Sequence, residues 1–328
     1  MIKHEDISVV VQGAIDPILT KLNLLNIRKF LPRSKIILST WEGSNLTGLD
    51  FDELVLNKDP GGFSHNYSDG VKVNNVNRLI VSSLNGIKVA NSLYVFKIRS
   101  DFLLQGNSFL RFFDLFKFVE SDFALFEHKI LACSYFTRDP NRSNLAYHPS
   151  DIAFFGLKAD LFDLFNIDLM NESDEFFFEK DGNWERRYAP EQFVFISFLE
   201  NRNRKVLCNN SMTVNEEQIV ETERYLASNF VLLDWRQFNL KPPKKFYNYR
   251  KLDHFTCITH VEWKHLYYKY VTSKPNRFAG FNFERQRLNS ILLKYRILKI
   301  IAKLITMFIF GKNNKKLRKK IRNKITRN

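Results

Sequence analysis

Cysteine is scarce in this chain. Cys133, Cys208 and Cys257 are widely spaced and form no paired motif, which excludes a disulfide framework and a cysteine zinc site and fits a reducing compartment. No GxGxxG run and no GxxxxGK loop occurs, so nicotinamide-dinucleotide and P-loop chemistry are disfavoured. His254, His260 and His265 stand in no metal-ligand spacing and read as structural or surface residues. There is no internal repeat. No apolar run reaches the ~20 residues needed to span a bilayer, and the opening MIKHEDISVV has acids where a secretion signal needs a cationic segment followed by an apolar one. The expectation is a cytoplasmic protein. Acidic residues are also missing from the last 41 positions, which hold 13 Lys or Arg, while the rest of the chain carries 37 basic and 35 acidic residues. The formal charge of +15 is therefore a property of the tail, and nucleic acid is not an expected partner.

What is present is apolar material for a large core: 45% hydrophobic residues and 32 phenylalanines, with no composition typical of disorder before the C-terminus. Residues 7–15 (ISVVVQGAI) are a continuous apolar run, as expected of a strand buried on both faces. Asp16-Pro17 then supplies the cap and first-turn chemistry of a helix running to Pro32. Strands are expected over 35–41 and 53–58 and a helix over 75–90, with Val76, Leu79, Ile80, Leu84 and Ile87 on one side. This alternation predicts an α/β fold with a mainly parallel sheet and ligands beyond the carboxyl ends of its strands. Later segments are less regular. A Phe-rich helix is expected over 107–120, one long or two short strands over 123–136, a helix over 158–165, an acidic loop over 171–189, a helix from Pro190 to about 200, and a strand over 206–209.

The most informative segment is 94–104, YVFKIRSDFLL, where an apolar strand carries Lys97, Arg99 and Asp101 at every second position. Period-two spacing puts three charges on one face, where burial is costly unless they pair with each other or with a charged ligand. A solvated edge strand with a charge ladder is the alternative.

Taken together, ISVVVQGAI, STWEGS, ELVLNKDPGGF, NVNRLIVSSLNGIKVA, YVFKIRSDFLL, HPSDIAFFG and PEQ resemble the WavE lipopolysaccharide synthesis family, glycosyltransferases of bacterial surface polysaccharide assembly. The resemblance covers roughly residues 5–200. It implies a GT-A-like nucleotide-sugar fold, with residues 1–210 as the catalytic domain, 211–287 as an extension packed on it and 288–328 as a tail. The resemblance itself supplies neither donor nor acceptor; the partners expected for such an enzyme are a nucleotide-sugar donor and a lipid-linked glycan acceptor.

On that resemblance Asp101 is the candidate for holding a divalent metal, Mn or Mg, against the donor diphosphate. The segment reads Arg99-Ser100-Asp101 where Asp-x-Asp is usual, so a cation at Arg99 can neutralise phosphate directly. Gln12 and Gly13 would meet the base or ribose, and Asp59 in the Pro-Gly-Gly loop would wrap the nucleotide. Asn74, Asn77 and Arg78 sit at a helix start suited to phosphate. Glu191 is the expected catalytic base and Asp151, beside His148, the second carboxylate. A nucleotidyl- or phosphosugar transferase of the same pathway, or a non-catalytic membrane-bound scaffold, would carry much of the same pattern.

Residues 297–310 (ILKIIAKLITMFIF) are apolar round most of a helix but interrupted by Lys299 and Lys303, and a polybasic stretch follows. This predicts an amphipathic basic helix lying on an anionic membrane surface, peripheral on the inner face of the bacterial cytoplasmic membrane.

Overall fold

In a computed structural model of the chain, all six residues of β1 (Ile7–Gln12) are buried, the reason its sequence is mostly apolar, with only Ser8 and Gln12 polar. The described residues are 2–67, 70–180, 183–210, 214–244, 246, 255–272 and 279–310, with isolated positions 314, 318 and 321. β1 pairs in parallel with β2 (Lys35–Trp41) on one side and β6 (Tyr94–Arg99) on the other, and β2 pairs in parallel with β3 (Glu53–Asn57). Beyond β6 come β9 (Ala153–Leu157), β8 (Ile130–Cys133) and β12 (Phe230–Leu233), completing a seven-stranded sheet in the order β12-β8-β9-β6-β1-β2-β3. β9 is antiparallel to both neighbours while the other six strands share one direction. The molecule is thus a mixed α/β protein with a mostly parallel central sheet.

The antiparallel strand has a consequence for function. Its amino end lies on the same edge as the carboxyl ends of β1, β2, β3 and β6, so residues just before Ala153 join the edge expected to bind ligands in such sheets. The seventh strand comes from 230–233, so the strand set does not close at residue 210.

Helix α1 (Leu19–Phe30) begins two residues after Pro17, and the Asp16 carboxylate accepts from the Ile18 and Leu19 amides at 3.0 and 2.8 Å. Helix α2 (Val76–Val89) lies against β1, β2 and β3. It can approach closely because residue 86 is glycine: a Cβ there would run into the Val10 side chain and sit 3.0 Å from Ser39 Cβ. Gly86→Ala should therefore destabilise the protein by about 1–3 kcal/mol through overpacking, seen as a lower urea midpoint at unchanged slope. An unchanged midpoint would mean that α2 shifts freely.

Several expectations change. Residues 107–120 form only a 3-10 turn at Ser108–Phe112. Phe109 is held by ring contacts to Phe96, Phe155 and Phe238, so pocket positions rather than helical period set the spacing. Of 123–136 only the four residues of β8 are strand. Residues 206–209 form no strand, because the Leu207 and Cys208 carbonyls accept from Gln218 and Tyr188 side chains. The acidic stretch 171–189 contains a helical turn, Glu172–Glu175, and a hairpin of β10 (Phe178–Lys180) and β11 (Asn183–Glu185). A second hairpin, β4 (Phe63–Tyr67) with β5 (Gly70–Asn74), was not anticipated; β7 (Leu103–Leu104) pairs with β13 (Leu240–Lys241). Helices Lys158–Phe165 and Pro190–Asn201 begin where expected.

The last described helix, Ala279–Phe310, is 32 residues long. Leu288, Ala302 and Thr306 are buried on it, whereas Phe308 is 95% exposed and Ile297, Leu298, Ile300, Leu304 and Ile309 are exposed. No helix among the described residues is long and apolar enough to cross a membrane. Most of the polybasic stretch after 310 lies outside the described residues.

Candidate active site

The carboxyl edge of the sheet frames a cavity of about 800 Å³. Read across the strands, its wall carries Asp59 beyond β3, Trp41 at the end of β2, Gln12 and Gly13 at the end of β1, Arg99 and Asp101 at the end of β6, and Asp151 before β9. With strands ~4.8 Å apart, β3 to β9 spans about 19 Å. The cavity is long enough for an extended ligand.

At the β1 end, Gln12 is fixed by Ser82, whose hydroxyl donates to its side-chain oxygen at 2.7 Å. Gly13 has φ +110°, a conformation that L side chains rarely adopt, and its amide donates to the Ser39 carbonyl. The turn thus brings bare backbone to the cavity wall.

Two arginines line the same cavity, each paired with a carboxylate. Arg78 Nε and Nη2 donate to the two Asp59 oxygens, both at 2.7 Å, and Nη1 donates to Asn75 at 2.6 Å. This hydrogen-bonded guanidinium holds the Asp59 carboxyl below the usual range. Arg99 Nε and Nη2 donate to the two Asp101 oxygens at 3.0 and 2.9 Å, while the guanidinium lies over the Phe102 and Phe246 rings at 5.6 and 5.5 Å.

Asp101 lies in the turn after β6, outside the strand, and the turn folds its carboxylate back onto Arg99. Each Asp101 carboxylate oxygen accepts one hydrogen bond from the Arg99 guanidinium, so a metal held by Asp101 would share the carboxylate with that cation. Among the described residues no group of three or more His, Cys, Asp or Glu is arranged to hold a metal. The positive charge on the wall is supplied by arginine.

Glu191 enters from the first turn of the helix Pro190–Asn201. Burial, and then the nearby Asp151 carboxylate, push Glu191 up to about 7. The buried His148 lies with Nε2 3.4 Å from Glu191 Oε2, and burial pushes it down to about 3, so a neutral imidazole flanks the carboxyl. A carboxyl poised near neutrality at the wall of a cavity is suited to proton transfer.

Of the residues expected at the site, Gln12, Gly13, Asp59, Arg78, Arg99, Asp101, Asp151 and Glu191 all line this cavity. Asn74 and Asn77 are not among its lining. The Asn77 side chain exchanges hydrogen bonds with the Met170 backbone at 2.9 and 2.8 Å, and Asn74 donates to Glu175, tying the start of α2 to the 170–175 segment. A ~100° step per residue turns Asn77 away from the side that Arg78 occupies.

Sequence reasoning missed Ser82, Phe136 and Phe246. Phe136 follows β8 with φ +69°, a sparsely populated conformation for a bulky residue. Such conformations leave no mark in a one-dimensional pattern. Ser82 had a usable signal: four residues after Arg78 on α2, it faces the same cavity.

The class is a mixed α/β protein whose mostly parallel sheet carries an elongated, charged cavity at its carboxyl edge. The family model for WavE lipopolysaccharide synthesis matches residues 7–297, and the chain belongs to that family. The match extends past the 5–200 region of resemblance through β12. Membership places the protein in lipopolysaccharide synthesis. No curated protein matches the chain.

Proposed function

We propose that this protein is a glycosyltransferase with a GT-A-like site that moves a sugar from a nucleotide-sugar donor to a growing lipopolysaccharide or capsule-type glycan. The observation that carries the reading is the distribution of charge along the cavity. Arg78 and Arg99 stand towards β3 and at β6, suited to a diphosphate, and the Asp151–Glu191 pair stands at the β9 end, where a sugar and its acceptor would meet. In the reaction an acceptor hydroxyl oxygen attacks the anomeric carbon and its proton passes to Glu191. The bond from that carbon to the diphosphate breaks, and the nucleoside diphosphate leaves with the electron pair. Arg99, and Arg78 on the β3 side, neutralise the developing charge. For the donor to use them fully, the guanidinia must share or exchange their bonds to Asp101 and Asp59.

A thermal-shift screen of nucleotide sugars followed by product analysis tests the reading, and product identity separates glycosyl from nucleotidyl transfer. Stabilisation by no nucleotide sugar would leave a scaffold role. Arg99→Met should lower turnover roughly 10²–10³-fold, the usual scale for losing one charge-stabilising donor. Retained activity would remove Arg99 from the leaving-group site.

The exposed apolar residues of 297–309 and the 13 Lys and Arg beyond Leu288 suit an anionic bilayer surface, with the chain on the inner face of the cytoplasmic membrane near a lipid-linked acceptor.

A further inference from the structure

Lys97, in the middle of β6, is fully buried. Among the described residues its Nζ donates to the Asp151 backbone carbonyl, and it lies 5.7 Å from the Phe154 ring centre and 5.5 Å from that of Phe165. A second buried lysine, Lys129, has a structural account, since its Nζ donates to the Ala227 and Ser228 carbonyls at the end of the helix Glu216–Asn229. Lys97 closes no helix. A methionine would fill an aromatic pocket as well and spare the burial of an ammonium. What lies beside Lys97 is the proposed catalytic pair: the charges acting on it are Asp151, Glu191 and Arg99.

We infer that Lys97 is a positioning residue, a buried cation that fixes the Asp151 segment through its backbone carbonyl and favours the ionised form of Glu191. After burial, the Asp151 charge is the next cause that holds Glu191 in its protonated form. The Lys97 ammonium, held on the Asp151 carbonyl and acted on by both carboxylates, offsets that repulsion. Burial brings Lys97 down to about 8, so it is still charged where Glu191, near 7, gives up its proton. The other groups acting on Glu191 are Arg138, Arg186 and the neutral His148. Turnover should then be highest between about pH 7 and 8, rising as Glu191 ionises and falling as Lys97 loses its charge.

The purpose of this device rests on the transferase reading, but its readout does not. In the full-length protein, the protonation midpoint of Glu191 can be followed by the carboxyl infrared absorption that Glu191→Gln removes. Lys97→Gln keeps a donor for the Asp151 carbonyl without the charge, and Lys97→Met removes both. The midpoint should rise by about one pH unit in both, and Asp151→Asn should lower it. Loss of fold moves it the other way from Lys97 removal, towards an ordinary carboxyl, so the sign separates the two causes. Near-ultraviolet circular dichroism selects the variant that keeps native packing. In that variant a raised midpoint supports the inference, and an unchanged or lowered one overturns it. A raised midpoint in a protein that turns over no nucleotide sugar would sink the transferase reading and leave the coupling standing.

Discussion

Glu191→Gln is expected to keep nucleotide-sugar affinity within a few fold of wild type while lowering turnover roughly 10²–10⁴-fold, the range associated with a positioned general base. Glutamine preserves shape and hydrogen bonding but cannot take the acceptor proton. The same variant should be more stable, with a definite pH dependence. Glu191 is raised to about 7 in the folded protein, so folding favours its protonated form and every pH unit of ionisation works against the fold. Below the ordinary glutamate value of about 4.3 the two proteins should melt alike. Between there and pH 7 the advantage of glutamine should grow, and above 7 it should be complete, on the order of 3–4 kcal/mol. Melting curves at pH 4, 6 and 8 alongside turnover read both effects. Loss of donor affinity in step with rate would move Glu191 to the donor site and leave Asp151 as the better base.

Removing residues 291–328 should abolish sedimentation with anionic vesicles while leaving nucleotide-sugar binding intact. The cut is placed after Ser290 so that the fully buried Leu288 is kept; Ala302 and Thr306 are the buried positions it removes. All 13 Lys and Arg of the tail lie beyond that point, and each contributes about 1 kcal/mol when near an anionic surface. The exposed apolar positions from Leu293 to Ile309 go with them. Salt should weaken vesicle binding of the full-length protein without eliminating it, because charge is screened and the apolar contact is not. Unchanged binding by the shortened chain would place the membrane contact elsewhere. A shortened chain that no longer melts cooperatively would make the helix part of the core.

What can be read directly from the sequence has local causes. The apolar run of β1, the Asp16 cap, the 3.6-residue stripe of α2, and Pro190 opening the helix that carries Glu191 each depend on a few neighbouring residues, and each stands where its pattern puts it. Most of the candidate site follows from the same rule, because residues at the ends of successive parallel strands are carried to one edge whatever the details of packing.

The decisive features of the site come from partners distant in sequence. β9 runs antiparallel, which alone brings Asp151 to an edge otherwise built from carboxyl ends. Phe154, 57 positions after Lys97, and Phe165 further on wall a lysine into the core that strand periodicity could only describe as charged. Met170 and Glu175 draw Asn77 and Asn74 out of the role that their place at a helix start suggested. Strand direction and burial are set by how segments far apart in the chain cover one another, and a local pattern holds no record of what will cover it. The sequence therefore determined which strands end at the cavity, and tertiary packing decided which of their charges are paired, buried or free to meet a substrate.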